Sequence, residues 1–309
     1  MNLTYRYLDP KEIIETDDFK VVESFLRDTG RRQIGWHYIV DLTWIYSRAR
    51  QWPKGLRVLD AGGGRGPAQF LLAEMGFDIT NIDLVHTPPD YAYLRRYGTV
   101  KQPLASHAET RYVEHIKGFG RYRRFPKRAL KVIMESLALR QLTASSYASR
   151  HEKWRLFNGY NEQKVGRIDW LTGNLCDVPE MEDGFFDAVV SMSALEHIPL
   201  DILPNALAEI RRLVKPDGHW AVTTSGAEQN DTWYHAPSLG YCFSEKDLNL
   251  LFGADAVNTV NPHNVLRNYH NCSYLKDNLA FHYRLSGNNG MPWGRWSPSY
   301  IPVGLAEEF

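Results

Sequence analysis

The chain has 309 residues, 43% of them hydrophobic, with 36 basic and 36 acidic side chains. That length and apolar content suffice for one large domain with an insertion, or for two domains, and the neutral total names no partner. Three widely spaced cysteines, Cys176, Cys242 and Cys272, make neither a disulfide framework nor a zinc pattern. With no apolar signal core at the start and no run long enough to span a bilayer, a cytoplasmic location is the expectation.

Residues 1–55 read as a helical leader. Ile13, Ile14, Val21, Val22, Phe25 and Leu26 mark one face of a helical pattern over 10–28. Ile34, Tyr38, Leu42, Ile45 and Tyr46 mark another over 31–52. Pro53-Lys54-Gly55 ends the leader. Residues 56–59 then read as a short buried strand, 60–66 as a glycine turn, 67–75 as a helix stopped by Gly76, and 77–84 as a second strand. Glycines permit a tight strand-to-helix turn and close approach of a ligand to the backbone. Asp60, just ahead of them, repels a pyrophosphate and suits a cationic ligand carrying an amino group. Asp83, at the tip of the second strand roughly 20 residues on, suits a ribose diol.

Residues 86–165 hide a charge asymmetry, with sixteen Lys and Arg against six Asp and Glu. The densest patch is Arg121-Tyr122-Arg123-Arg124-Phe125-Pro126-Lys127-Arg128. Further strands are expected at 168–172, 186–190 and 219–224, the last after a helix at 207–213 and a Pro216-Asp217-Gly218 turn. Ser244 caps a helix over 244–252. Residues 256–260 and 279–285 are expected as two final antiparallel strands. The segment 286–309, rich in Gly, Pro, Trp and Asn, reads as an extended tail on the surface.

The pattern Asp-x-Gly-x-Gly-x-Gly at Asp60, Gly62, Gly64 and Gly66 resembles motif I of the class I S-adenosylmethionine-dependent methyltransferases. Three further segments carry the resemblance: Gly173-Asn174-Leu175-Cys176-Asp177-Val178-Pro179, the strand from Phe186 to Ser191 running on to Leu195-Glu196-His197, and Lys215-Pro216-Asp217-Gly218. It covers residues 56–85 and 168–285, and is most similar to the small-molecule branch. It implies a doubly wound, seven-stranded Rossmann-like α/β methyltransferase sheet over 56–285, interrupted after the second strand by a basic, helical insertion over 86–165 that serves as lid or substrate platform.

The resemblance also implies a site. S-adenosylmethionine is the expected cofactor, held by Asp60, Gly62, Gly64, Gly66, Asp83, Asn174, Leu175, Asp177 and Ser191. Asn174 stands where the family usually has an acid facing the adenine amino group, so either Asn174 or Asp177 makes that contact. His197, with Glu196, is the expected catalytic pair. Imidazole suits the removal of a proton from a hydroxyl acceptor at neutral pH. Tyr5, Tyr234 and His235 are reserves for that role. Arg121, Arg123, Arg124 and His235 are the expected substrate-binding residues, for an acceptor that is a small or sugar-like molecule, anionic or lipid-linked. Some quinone-pathway relatives use a divalent metal through an additional Glu three residues before the Glu-His pair. Ser193 stands there, so no metal is expected. No Asn/Asp-Pro-Pro-aromatic motif points to base amines, and no Pro-Cys pair to cytosine carbon. The alternatives are an RNA-directed methyltransferase using the basic insertion, a silent cofactor-binding partner subunit, and a dinucleotide-dependent oxidoreductase that Asp60 disfavours.

Overall fold

Short apolar runs that end in glycine or polar turns become strands of one sheet, and the amphipathic runs between them become its helices. In the computed structural model, residues 3–84, 91–98, 137–257, 260–285 and 290–307 are described. In chain order the strands are β1 (Leu3–Tyr7), β2 (Arg57–Ala61), β3 (Asp78–Asp83), β4 (Ile168–Thr172), β5 (Phe186–Met192), β6 (Val214–Gly226), β7 (Trp233–His235), β8 (Gly240–Cys242), β9 (Ala254–Ala256) and β10 (Ile301–Glu307).

Eight strands form one mostly parallel sheet in the order β4-β3-β2-β5-β6-β10-β1-β9, and β7 pairs with β8 as a separate hairpin. Strands β2 to β6 of this sheet run parallel. From β2 the chain moves outward to β3, and from β5 it moves the opposite way to β6. The reversal opens a crevice beyond the carboxyl ends of β2 and β5, the place where open α/β sheets bind ligands. The helix Leu203–Leu213 returns the chain to β6 and buries Leu203, Ala206, Leu207, Ile210 and Leu213, one apolar stripe at helical spacing. The Pro216-Asp217-Gly218 turn survives as a bulge: Phe186 pairs with Val214 and Ala188 with His219, so residues 215–218 have no partners on β5.

The far side of the sheet corrects the expectation from sequence. The sheet has eight strands rather than seven. Residues 279–285 form no strand; they fall at the helix Phe281–Arg284, after the short helix Ser273–Asp277. The expected strand at 256–260 is the three-residue β9, paired parallel with β1. The segment 286–309 is not a surface tail throughout, because β10 lies between β6 and β1, antiparallel to both, with Ile301, Val303 and Leu305 in the core. The leader is not purely helical either. Its Leu3–Tyr7 alternates inward and outward residues as a half-buried strand does, ahead of the helices Asp17–Asp28 and Tyr38–Ala49.

The described parts of the insertion hold the helices Tyr91–Tyr97 and Leu137–Phe157. They are fastened to the sheet's own helix Ala68–Glu74 through one buried carboxylate. Glu74 takes two bonds from Arg96, at 2.6 and 2.8 Å, and pairs with His151 at 2.7 Å. Tyr97 donates to the same carboxylate, and Arg155 donates to the Glu74 carbonyl. Burial by itself would push this carboxyl up, but Arg96 and His151 more than offset that and hold it at about 2. Arg121, Arg123 and Arg124 lie outside the described residues.

Candidate active site

A cavity of about 710 Å³ opens at the reversal point of the sheet. The glycine turn after β2, Asp83 and Leu84 at the end of β3, Asn174 to Cys176 after β4 and the segment following β5 all line it. Gly62, Gly64, Gly66, Asp83, Asn174, Leu175 and His197, scattered over 136 positions of sequence, thus converge on one wall system because parallel strands present their carboxyl ends together.

The glycine turn is shaped by what lies beneath it. Gly62 and Gly64 have φ of +73° and +48°, where a side chain is strained. A Cβ on Gly63 would stand 1.8 Å from the Asp60 carboxylate. Gln69, fully buried, donates to the carbonyls of Gly64 and Gly66 and accepts from the Trp170 indole. These contacts hold the turn open. Asp60 itself sits under the turn, not on the cavity surface. Its Oδ2 accepts from Asn81 at 2.7 Å, and its Oδ1 is buried without a protein partner. Burial, opposed by the Asn81 bond and assisted by Asp83, pushes this carboxyl up to about 7.

The loop after β5 brings the chemical groups. Ser193 and Leu239, neither of them glycine, have φ of +47° and +55°, and both line the cavity. Strained backbone of this kind is held in place only by its surroundings. His197 Nδ1 lies 2.9 Å from the Leu239 carbonyl oxygen. A carbonyl only accepts, so Nδ1 carries a hydrogen, and in the neutral ring it is Nε2 that keeps the lone pair. Gly240 packs against this ring, where a Cβ would come within 3.3 Å. Glu196 points the other way. It is buried, accepts from the Thr224 and Ser225 hydroxyls, and burial pushes its carboxyl up.

Other expected residues fall elsewhere. Asp177 is exposed and is not part of the cavity lining. Ser191 is buried and donates to the Ala61 carbonyl, tying β5 to β2. His235 is held by Ser238 and Ser299, and burial pulls its pKa down. Tyr5 is in the core and Tyr234 is on the hairpin, so neither lines the cavity. Reading the sequence missed Tyr38 of the leader, Ser193 as a lining group, and the buried pair His37 and Asp41 behind it. In the sequence Tyr38 is only one apolar position of a helical pattern. No local motif reveals that this helix packs over β5 and β6.

The residues fit a cationic, nucleoside-bearing ligand: a glycine cradle that a Cβ would fill, an orphaned carboxylate oxygen beneath it, and a carboxylate at the tip of β3. An α/β sheet with this site defines a class I S-adenosylmethionine-dependent methyltransferase, with S-adenosylmethionine as its cofactor. The methyltransferase-domain family model matches residues 37–279, and the chain belongs to that family. No curated protein matches the chain. Among solved structures, the 1,6-didemethyltoxoflavin N1-methyltransferase of Burkholderia thailandensis is 15% identical, with a TM-score of 0.43 over 96% of this chain and 89% of its own. The [4+2]-cyclase SpnF is 14% identical, with a TM-score of 0.48 over 94% of each chain. A sarcosine dimethylglycine methyltransferase assignment from Galdieria sulphuraria is 15% identical, with a TM-score of 0.45 over 93% of this chain and 97% of that one. Among the described residues no helix is long and apolar enough to cross a membrane.

Proposed function

We propose that the protein methylates an oxygen of a small-molecule acceptor, with His197 as general base. The observation that carries this reading is the His197 hydrogen bond: with Nδ1 donating to the Leu239 carbonyl, Nε2 is a base in the same cavity as the glycine turn. Bound S-adenosylmethionine supplies an electrophilic methyl group on a sulfonium. The protein's own work is then to hold the acceptor in line with that carbon and to take its proton. In this reading Asp83 accepts from the ribose hydroxyls, Asn174 faces the adenine, and the carboxylate of Asp60 balances the amino end from beneath the turn. Glu196 acts from behind the loop, bracing it through Thr224 and Ser225. The charge of the insertion supports an anionic or lipid-linked acceptor, gripped by Arg121, Arg123 and Arg124.

The test is release of S-adenosylhomocysteine over a panel of hydroxyl-bearing acceptors. In His197→Ala, turnover should fall by about 10²–10⁴-fold at neutral pH and recover in part as pH rises. Cofactor affinity should stay put. Normal turnover with a normal pH profile would remove His197 from the chemistry.

A further inference from the structure

Ser193 is the end of a buried chain of hydrogen bonds that meets it at an accepting carboxylate. The Trp36 indole, which can only donate, lies 3.1 Å from the Tyr300 hydroxyl. Tyr300 also pairs with His37 Nε2 at 3.2 Å. His37 Nδ1 faces a carboxylate oxygen, which accepts, and donates to Asp41 Oδ2 at 2.7 Å. Ser193 donates to the same Oδ2 at 2.9 Å. All four partners behind Ser193 are buried. The only hydrogen on the Ser193 oxygen is thus committed away from the cavity, and what the hydroxyl offers inward is lone pairs. His197 Nε2 offers the same, for the same kind of reason. Tyr38, Met192, Leu195, Ile198 and Leu239 line the same cavity.

We propose that Ser193 is a specificity-determining residue, and that the acceptor's reacting end is an apolar body carrying two hydrogen-bond donors, vicinal hydroxyls or an equivalent O–H and N–H pair, one read by Ser193 and one by His197. This rests on the reading of the cavity as the acceptor site and narrows its chemistry. An anion there would face the Ser193 oxygen with the Asp41 carboxylate behind it. A negatively charged part of the acceptor lies outside this pocket.

Four probes of one ring system test it on protein saturated with S-adenosylhomocysteine, with affinity read by calorimetry. 2,3-Dihydroxynaphthalene should bind about threefold to tenfold tighter than 2-naphthol, the span of one net hydrogen bond. 2-Naphthol should exceed 2,3-dimethoxynaphthalene by a similar factor, and 2-naphthoate should be weakest. In Ser193→Gly, which tolerates the positive φ, the diol should lose its advantage over 2-naphthol; Ser193→Ala serves if that variant does not fold. The proposal is overturned if the dimethoxy compound or the naphthoate equals the diol, if none of the four binds, or if the diol's advantage survives in the variant. Loss of S-adenosylhomocysteine binding in the variant also overturns it, by placing the hydroxyl on the cofactor. If the ranking holds while His197→Ala keeps normal turnover, only the base assignment fails.

Discussion

At the residue scale, Asp60 and Gly63 act as one unit. The carboxylate occupies the space that a Gly63 side chain would need, so Gly63→Ala forces either the turn or the acid to move. We expect a loss of about 1–3 kcal/mol of stability, typical of overpacking, together with loss of cofactor binding; thermal unfolding and calorimetry check the two separately. The motif drew attention to Gly62, Gly64 and Gly66, because spacing is visible in a sequence. What fills the space under a glycine is not. In its proposed role beneath the ligand's amino end, Asp60 should make cofactor binding pH-dependent. In the free protein its pKa is raised to about 7 from an ordinary 3.8, so the fold gains from its proton at low pH and loses that contribution as pH rises through 7. A ligand that brings a cation favours the ionised form. Affinity for S-adenosylhomocysteine should therefore rise between pH 6 and 8, and Asp60→Asn, which keeps an acceptor for Asn81, should flatten that dependence. An unchanged slope in the variant would detach Asp60 from the ligand.

At the scale of elements, Glu74 is the joint between the sheet and the insertion. Its carboxylate is anchored by Arg96 and His151, while Arg31 stacks over Phe70 at 3.9 Å and Tyr93 at 4.7 Å to bring the leader to the same place. Glu74→Gln leaves the Arg96 guanidinium under-compensated and should cost about 3–5 kcal/mol, the range for breaking a buried pair. Amide exchange should rise first along 145–157, since Trp154 and Arg155 are buried only while that helix is docked. The pH dependence has a definite sign. Glu74 is lowered from 4.5 to about 2 and His151 is also lowered, so both favour the fold above their unfolded pKa values. That stabilisation is lost on acidification, for Glu74 between about pH 4.5 and 2. Wild-type protein followed by exchange over this range should loosen at 145–157 ahead of β2 to β6. The variant should lack that step.

At the scale of the whole molecule, a neutral chain divides into a basic insertion and an acidic remainder. Replacing Arg121, Arg123 and Arg124 together by Ala should raise the Michaelis constant of an anionic acceptor and flatten its salt dependence, with cofactor affinity unchanged. A fall in cofactor affinity would assign the patch to the fold instead. The half of the sheet from β4 to β6 was legible in the sequence. Its strands are apolar runs set off by glycine and turn residues, and, the insertion between β3 and β4 apart, each follows the last after a short connection. Gly62, Gly64, Gly66, Asp83, Asn174 and Leu175, which line the cavity at its edge, were legible as a group for the same reason, because strand, turn and helix signals fix which residues stand at a carboxyl end. The other half was not. β10 carries Pro302 and Gly304, which read as loop, yet it becomes a buried strand because β6 and β1 supply the pairing from 75 or more residues away in the chain. β1 is five residues of ordinary alternation with no signal of its own. The chain Trp36–Tyr300–His37–Asp41–Ser193 joins three such distant segments and is invisible before they meet. The sequence by itself determined the chemistry the site can bind, since backbone turns and charge type are local properties. Only the tertiary structure decided which hydrogens point into the cavity, because the direction of a hydrogen bond depends on partners that packing alone brings together.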